Sequence, residues 1–182
     1  MHIQLCDHGY EGYLNPGDYL KDVLTPATFT PNRPFNREEI RNAIPDVLAF
    51  LFEAMQMPNR YLWGGTIGPN FDCSGLVQAA FASQRIWLPR DAREQFAFPG
   101  NKMVTPDKVE PGDLLFFSRQ EEIDHVAVHL GNGFYIHSSG PALGRDGIGV
   151  DRFSENGGRA AANYYAINRG FRRVCESLVS HM

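Results

Sequence analysis

The stretch from His125 to Gly140, HVAVHLGNGFYIHSSG, narrows the possible folds more than any other part of the chain. Val126, Val128 and Leu130 alternate with His125, Ala127 and His129, so one face of an extended strand is apolar and the other carries imidazoles. Gly-Asn-Gly then breaks the run, and a second β-favouring segment follows, which together specify an antiparallel hairpin. A two-residue turn at Asn132-Gly133 would pair residue 137 with 128 and send His137 into the valine face. A three-residue loop, Gly131 to Gly133, pairs 137 with 127 and sets His137 beside His125. We expect the three-residue loop, with Ala127 leaving room between the two rings.

The rest of the chain sorts around this hairpin. Upstream, NREEIRNAI places Asn36 as an N-cap with Glu39 three residues on, and PDVLAFLFEAMQM continues a helical pattern with Val47, Leu48, Leu51 and Met55 as its buried stripe. Leu76 and Ala80, and Val77 and Phe81, recur at a spacing of four and predict a core helix over 74–84. Downstream the segments DLLFF, HVAVHL, FYIHS, GIGV and FRRVCESL are short and β-favouring. Helices followed by a meander of strands read as an α+β fold with an antiparallel sheet. Residues 1–30 alternate short apolar pieces with Gly, Pro and Asn, and TPATFTPNRPF, with three prolines, predicts an extended linker and a boundary near residue 35.

Composition removes several function classes. The 182 residues are 43% hydrophobic with a formal net charge of −4, and the Lys and Arg residues do not cluster, so no nucleic acid partner is expected. No apolar run approaches the ~20 residues of a membrane span, so no membrane partner is expected either. The segment MHIQLCDHGYEGYL lacks the charged and apolar regions of a signal peptide, which leads us to expect a cytoplasmic protein. Three cysteines, at 6, 73 and 175, are too few and too scattered for a disulfide framework.

Cys73 stands apart from the other two. In GPNFDCSGLVQAAFAS it lies between Asp72 and Ser74 where a loop becomes an apolar helix, at the positive end of the helix dipole. A thiol nucleophile needs a base, and the clustered histidines supply His125 as base with His137 to hold its ring. This arrangement predicts a thiol pKa depressed below the free value. A metal site is the competing reading, but His125 and His129 on one strand sit ~13 Å apart, and a Cys73, His125, His137 zinc site lacks a fourth ligand.

The motifs YLWGGTIGPNFDCSGLVQAAF, WLPRDAREQ, PGDLLFF and HVAVHLGNGFYIHSSG, in this order, resemble the NlpC family of papain-like cell-wall peptidases over residues 36–182. GPNFDCSGLVQAAFAS, RDAREQ and GRDGIGVD are most similar to the cyanobacterial γ-D-glutamyl-L-diamino-acid endopeptidases. The resemblance implies a papain-like catalytic domain at 36–182, and residues 1–30 look like the tail of a bacterial SH3-like barrel. It implies Cys73 as nucleophile, His125 as base, His137 as third member and Tyr61 beside the oxyanion. Asp72 and Ser74 would bind the substrate's free amine, with Asp72 also readable as a helix N-cap. Arg90 and Asp91 are candidates for the same pocket or, alternatively, a surface ion pair. Ala127 stands where relatives often carry Gly, Tyr10 and Tyr13 are candidates for a barrel contact, and His129 is expected at the surface or lining the cleft. The implied substrates are peptidoglycan stem peptides, with no metal or organic cofactor. Papain-like acyl or amide transfer, and a non-catalytic wall-binding module, are the alternatives.

Overall fold

In the computed structural model, the described residues are 2–4, 11–13 and 33–178. Two short strands, β1 (His2–Gln4) and β2 (Glu11–Tyr13), pair antiparallel. The rest of the expected SH3-like segment, with Tyr10, lies outside the described residues.

The first helix, α1 (Arg37–Gln56), starts as its sequence demands. The Asn36 side chain accepts from the Glu38 and Glu39 amides and Glu39 reaches back to the Asn36 amide, completing the capping box. Ile40, Val47 and Leu51 are fully buried, whereas the expected Leu48 and Met55 pack half-buried at the edge of the stripe. The second helix, α2 (Cys73–Ala82), buries Leu76, Val77, Ala80 and Phe81 and begins on Cys73 itself. A one-and-a-half-turn helix, α3 (Ala92–Ala97), follows.

A six-stranded antiparallel sheet forms the other layer. Its strands are β3 (Asn101–Val104), β4 (Leu114–Phe117), β5 (His125–Gly131), β6 (Phe134–Ser139), β7 (Gly147–Arg152) and β8 (Asn168–Val174), in the order β3-β8-β4-β5-β6-β7. A helix before the last strand, α4 (Arg159–Ala166), was not expected from the sequence, and neither were α3 and β3. Helices therefore flank the strands on the chain rather than only preceding them.

The hairpin has the expected register by a different device. Val128 pairs with Ile136 and His129 with Tyr135, which continues to Ala127 opposite His137. The loop itself has two residues. Asn132 and Gly133 both take positive φ, as a type I′ turn requires, and the extra residue is absorbed as a bulge between His129 and Gly131.

Both faces of the sheet are covered, where the valine pattern predicts one. Val126, Val128 and Ile136 pack against α1 and α2 in one core. Leu115, Phe117, Ala127 and Tyr135 form a second core with Tyr164 of α4 and Phe171. The histidine face is thus dry: His125, His129 and His137 are all buried.

The entry to α2 depends on a close backbone approach. The Gly65 carbonyl accepts the Asp72 amide at 3.1 Å, and a Cβ on Gly75 would land inside that same carbonyl and 2.9 Å from Asp72 Oδ1. Backbone cannot move aside as a side-chain tip can. Gly75→Ala is expected to lose roughly 1–3 kcal/mol of stability in urea unfolding; a wild-type midpoint would show that the contact is not tight.

Candidate active site

Cys73 is the first residue of α2, and its Sγ lies 4.0 Å from the carbonyl oxygen of Asp124, the residue before His125. The loop that leads into the helix is pinned to the sheet. Ser138 Oγ donates to the Phe71 carbonyl at 2.6 Å, the Ile148 amide donates to Asn59, and the Tyr61 amide donates to Asp146 at 3.2 Å. The helix end that carries the thiol and the strand end that carries His125 are thereby fixed relative to one another.

Behind His125 runs a chain of hydrogen bonds. His125 Nε2 and His137 Nδ1 are 2.8 Å apart, and His137 Nε2 is 2.9 Å from Asp151 Oδ2. With Nε2 so engaged, Nδ1 is the nitrogen that His125 has for the thiol. Tyr164 stacks on the His125 ring at 4.5 Å between centroids, and the His137 ring meets His125 edge-on. Asp151 and Tyr164 were not singled out from sequence. The signal for Asp151 is a carboxylate ending the apolar strand GIGVD; for Tyr164 it is the Ala-rich run RAAANYYA, whose helical tendency the β-strand reading passed over.

Cys73 opens onto a cleft of about 350 Å³ whose walls include Tyr61, Trp63, Asp72, Ser74 and Asp91. Asp72 caps α2 by accepting the Gly75 amide at 2.6 Å, and its other oxygen accepts the Gly64 amide at 2.8 Å. Arg90 grips both oxygens of Asp72, at 2.5 and 3.1 Å, and donates to Ser74 Oγ at 2.9 Å. The Arg90 guanidinium also lies 3.9 Å from the half-exposed Asp91 carboxylate, an ion pair whose Arg90 side is only 2% exposed. The expected ion pair is therefore present, but its location is corrected: Arg90 is buried against the start of α2, and only Asp91 reaches the surface. Asp91 also serves as the N-cap residue of α3, in a capping box with Glu94.

His129 is corrected as well. It is buried rather than at the surface, and its Nδ1 is 3.1 Å from the Glu110 carbonyl, away from the cleft. Cys175 is half-buried with a free thiol. Among the described residues, no group of three or more His, Cys, Asp and Glu side chains is arranged to hold a metal ion.

Electrostatics in the site oppose the depressed thiol expected from sequence. Burial, and then the Asp72 carboxylate, push the Cys73 thiol up to about 12 despite amide hydrogen bonds from Val126 and Ser74. Burial, with the neighbouring His137 and Arg119 charges, drives His125 well below the ordinary 6.5. Both shifts favour the same resting state, neutral thiol beside neutral imidazole: the imidazole is unprotonated across the neutral range, and proton transfer from the thiol is uphill in the substrate-free site. Burial also raises the Tyr61 phenol, which stays a protonated donor.

A thiol at a helix N-terminus, one strand-end away from a buried imidazole held by a second imidazole, defines a thiol-dependent hydrolase or transferase of papain-like build. The NlpC/P60 family model matches residues 58–160, and the chain belongs to that family. Among curated proteins it is 42% identical over 81 residues to the gamma-D-glutamyl-L-lysine dipeptidyl-peptidase of Bacillus subtilis, covering 43% of this chain and 27% of that one. Among solved structures it is similar to an NlpC/P60 family protein of Bacillus cereus, with 28% identity, a TM-score of 0.61, and 73% of this chain and 40% of that chain covered. It is also similar to the peptidoglycan hydrolase RipB of Mycobacterium tuberculosis, with 28% identity, a TM-score of 0.58, and 78% and 69% covered. The chain spans less than half the length of the curated relatives it matches.

Two outcomes follow from the geometry. Arg90→Met strands the Asp72 carboxylate in a buried site and should cost roughly 3–5 kcal/mol in denaturant unfolding; a neutral effect would mean that water already screens the pair. Iodoacetamide should alkylate Cys73 of the substrate-free protein more slowly at pH 7 than it does a free thiol of pKa about 8.5. Faster labelling at pH 5–6 than the free thiol would reveal a preformed thiolate–imidazolium pair instead.

Proposed function

We propose that this NlpC/P60 peptidase hydrolyses the amide between γ-D-glutamyl and the following diamino acid in peptidoglycan-derived stem peptides that begin with a free L-Ala. The observation that carries the reading is the approach of Cys73 to the start of β5, backed by the 2.8 Å contact between His125 and His137. The finer choice of bond draws support from the γ-D-glutamyl specificity in the name of the Bacillus subtilis relative and from the similarity of GPNFDCSGLVQAAFAS and GRDGIGVD to cyanobacterial endopeptidases.

In the proposed reaction, substrate entry excludes water and His125 Nδ1 takes the thiol proton as Cys73 Sγ attacks the γ-carbonyl. The Cys73 amide, in the first turn of α2, and the Tyr61 phenol are the donors proposed for the oxyanion. The imidazolium of His125 passes its proton to the departing amine, breaking the C–N bond and leaving a thioester. Water, deprotonated by His125, attacks the thioester, regenerates the thiol and releases the dipeptide with a new carboxylate.

The free amine is proposed to dock near Asp72, Ser74 and Asp91, which line the cleft together with Cys73. Because Arg90 already neutralises much of Asp72, the half-exposed Asp91 carries a larger share of the attraction for an ammonium.

Mass spectrometry of L-Ala-γ-D-Glu-meso-diaminopimelate after incubation tests the proposal. Wild type should release L-Ala-γ-D-Glu, Cys73→Ala should not, and the N-acetylated peptide should be spared. Equal cleavage by both proteins, or an L-Ala-γ-D-Glu adduct to an added amine in place of the free acid, would contradict it.

A further inference from the structure

Asp151 and Arg145 lie beyond the site residues that the resemblance implies, and their geometry has the marks of a built device. On the β6–β7 ladder Tyr135 pairs with Asp151 and His137 with Gly149, so these four positions share one face of the sheet. Asp151 reaches His137 from the diagonal position. Directly opposite His137 there is no side chain at all, because the residue is glycine.

The backbone conformation does not require that glycine, since Gly149 is not among the residues with positive φ. Space does. A Cβ at 149 would land inside the Arg145 guanidinium, which lies across the strand at that point. From there Arg145 Nη2 donates to Asp151 Oδ1 at 2.6 Å and Nε donates to Oδ2 at 3.2 Å. The guanidinium is locked further by the Val150 carbonyl at 3.3 Å. Asp151 is thus held from one side by a cation while it meets His137 on the other.

Building on the cysteine-peptidase reading above, we propose that Asp151, clamped by Arg145 in the space Gly149 leaves open, is a positioning residue that sets the tautomers of His137 and His125 and so directs the base at Cys73. An ionised carboxylate only accepts, so His137 must carry its proton on Nε2. Its Nδ1 is then the acceptor, and His125 must donate from Nε2. A neutral imidazole has one N–H, which leaves His125 Nδ1 with a lone pair. The walls around the two rings are Phe117, Tyr135 and Tyr164, which present ring faces and edges, so the carboxylate is what chooses among the tautomers. Burial alone would raise Asp151, but its bonds to His137 and Arg145 outweigh it and keep the carboxyl ionised.

A merely structural staple between the 140–146 segment and β7 would also put Arg145 on Asp151, so the test reads the protons themselves. In ¹⁵N-histidine NMR at neutral pH, the wild type should show His137 and His125 protonated on Nε2 with His125 Nδ1 bare. Asp151→Leu, which removes the acceptor, should lose that pattern and lower kcat by roughly 100- to 10,000-fold with KM within about threefold. Asp151→Asn keeps an acceptor oxygen, so it should keep the pattern and lose about tenfold in kcat. Gly149→Ala and Arg145→Gln, checked by melting temperature for an intact fold, should share one spectral change and one kcat loss because both displace the same guanidinium.

The inference is overturned if His125 is protonated on Nδ1 in the wild type, or if folded Asp151→Leu or Gly149→Ala keeps both the wild-type spectrum and wild-type kcat. Its failure is separate from that of the function above. A wild type that shows the tautomer pattern yet cleaves no γ-D-glutamyl peptide contradicts the substrate reading alone, whereas active enzyme without the pattern contradicts this inference alone.

Discussion

The pairing of β5 with β6 is the constraint on which the site depends. Side chains alternate across a strand, so a slip of one residue would carry His137 from the face of His125 to the face of Val128. The bulge between His129 and Gly131 and the left-handed Asn132-Gly133 turn prevent that slip together. With the register held, Ala127 faces His137 across the ladder, and its small side chain lets the diagonal His125 and His137 approach to 2.8 Å. The rest of the fold brings the other half of the chemistry to that point. The Gly65–Gly75 contact and the Ser138–Phe71 bond fix where α2 begins, and α2 begins on the thiol.

Two ionic clusters, one buried and one partly exposed, bracket Cys73 and the two imidazoles. On the helix side Arg90 binds Asp72 and Ser74; on the sheet side Arg145 binds Asp151. Such pairs add little net stability after desolvation, yet breaking one leaves a charge that nothing compensates. Their value here is geometric, since each holds a residue adjacent to a reacting group without touching the cleft floor as a free charge. The apolar second core around Phe117, Tyr135 and Tyr164 encloses the imidazoles and shifts His125 down, while Cys73 is packed into the first core, whose burial shifts the thiol up. The resting pair is therefore neutral, and the proposed reaction needs the proton to move once substrate is bound.

Much of this was legible in the sequence because it rests on local patterns. The Asn36 capping box, the spacing of Leu76 and Ala80, and the alternation in HVAVHL specify their elements directly. The register of the hairpin was legible too, although the sequence does not distinguish an extra loop residue from a bulge, as both give the same pairing. What escaped depends on contacts distant along the chain. The second core is invisible in the valine alternation because its outer layer comes from Tyr164 and Phe171, some forty residues away in sequence. Arg90 reads either as a pocket residue or as half of a surface ion pair with Asp91, and only the packing of the segment after α2 shows that it points inward to Asp72. The thiol was expected to be acidic from its place at a helix N-terminus; desolvation, which no local pattern encodes, outweighs the dipole.

The central claim is that Cys73 is the nucleophile and that His125 activates it. A chloromethyl ketone built on L-Ala-γ-D-Glu puts its ketone where the scissile carbonyl would lie and an alkylating CH2Cl beside it, and peptide mapping locates the covalent label. The account predicts a label on Cys73 that forms at a rate saturating with reagent and collapses in His125→Ala. Labelling of another residue, or labelling of Cys73 at an unchanged rate without His125, would contradict it.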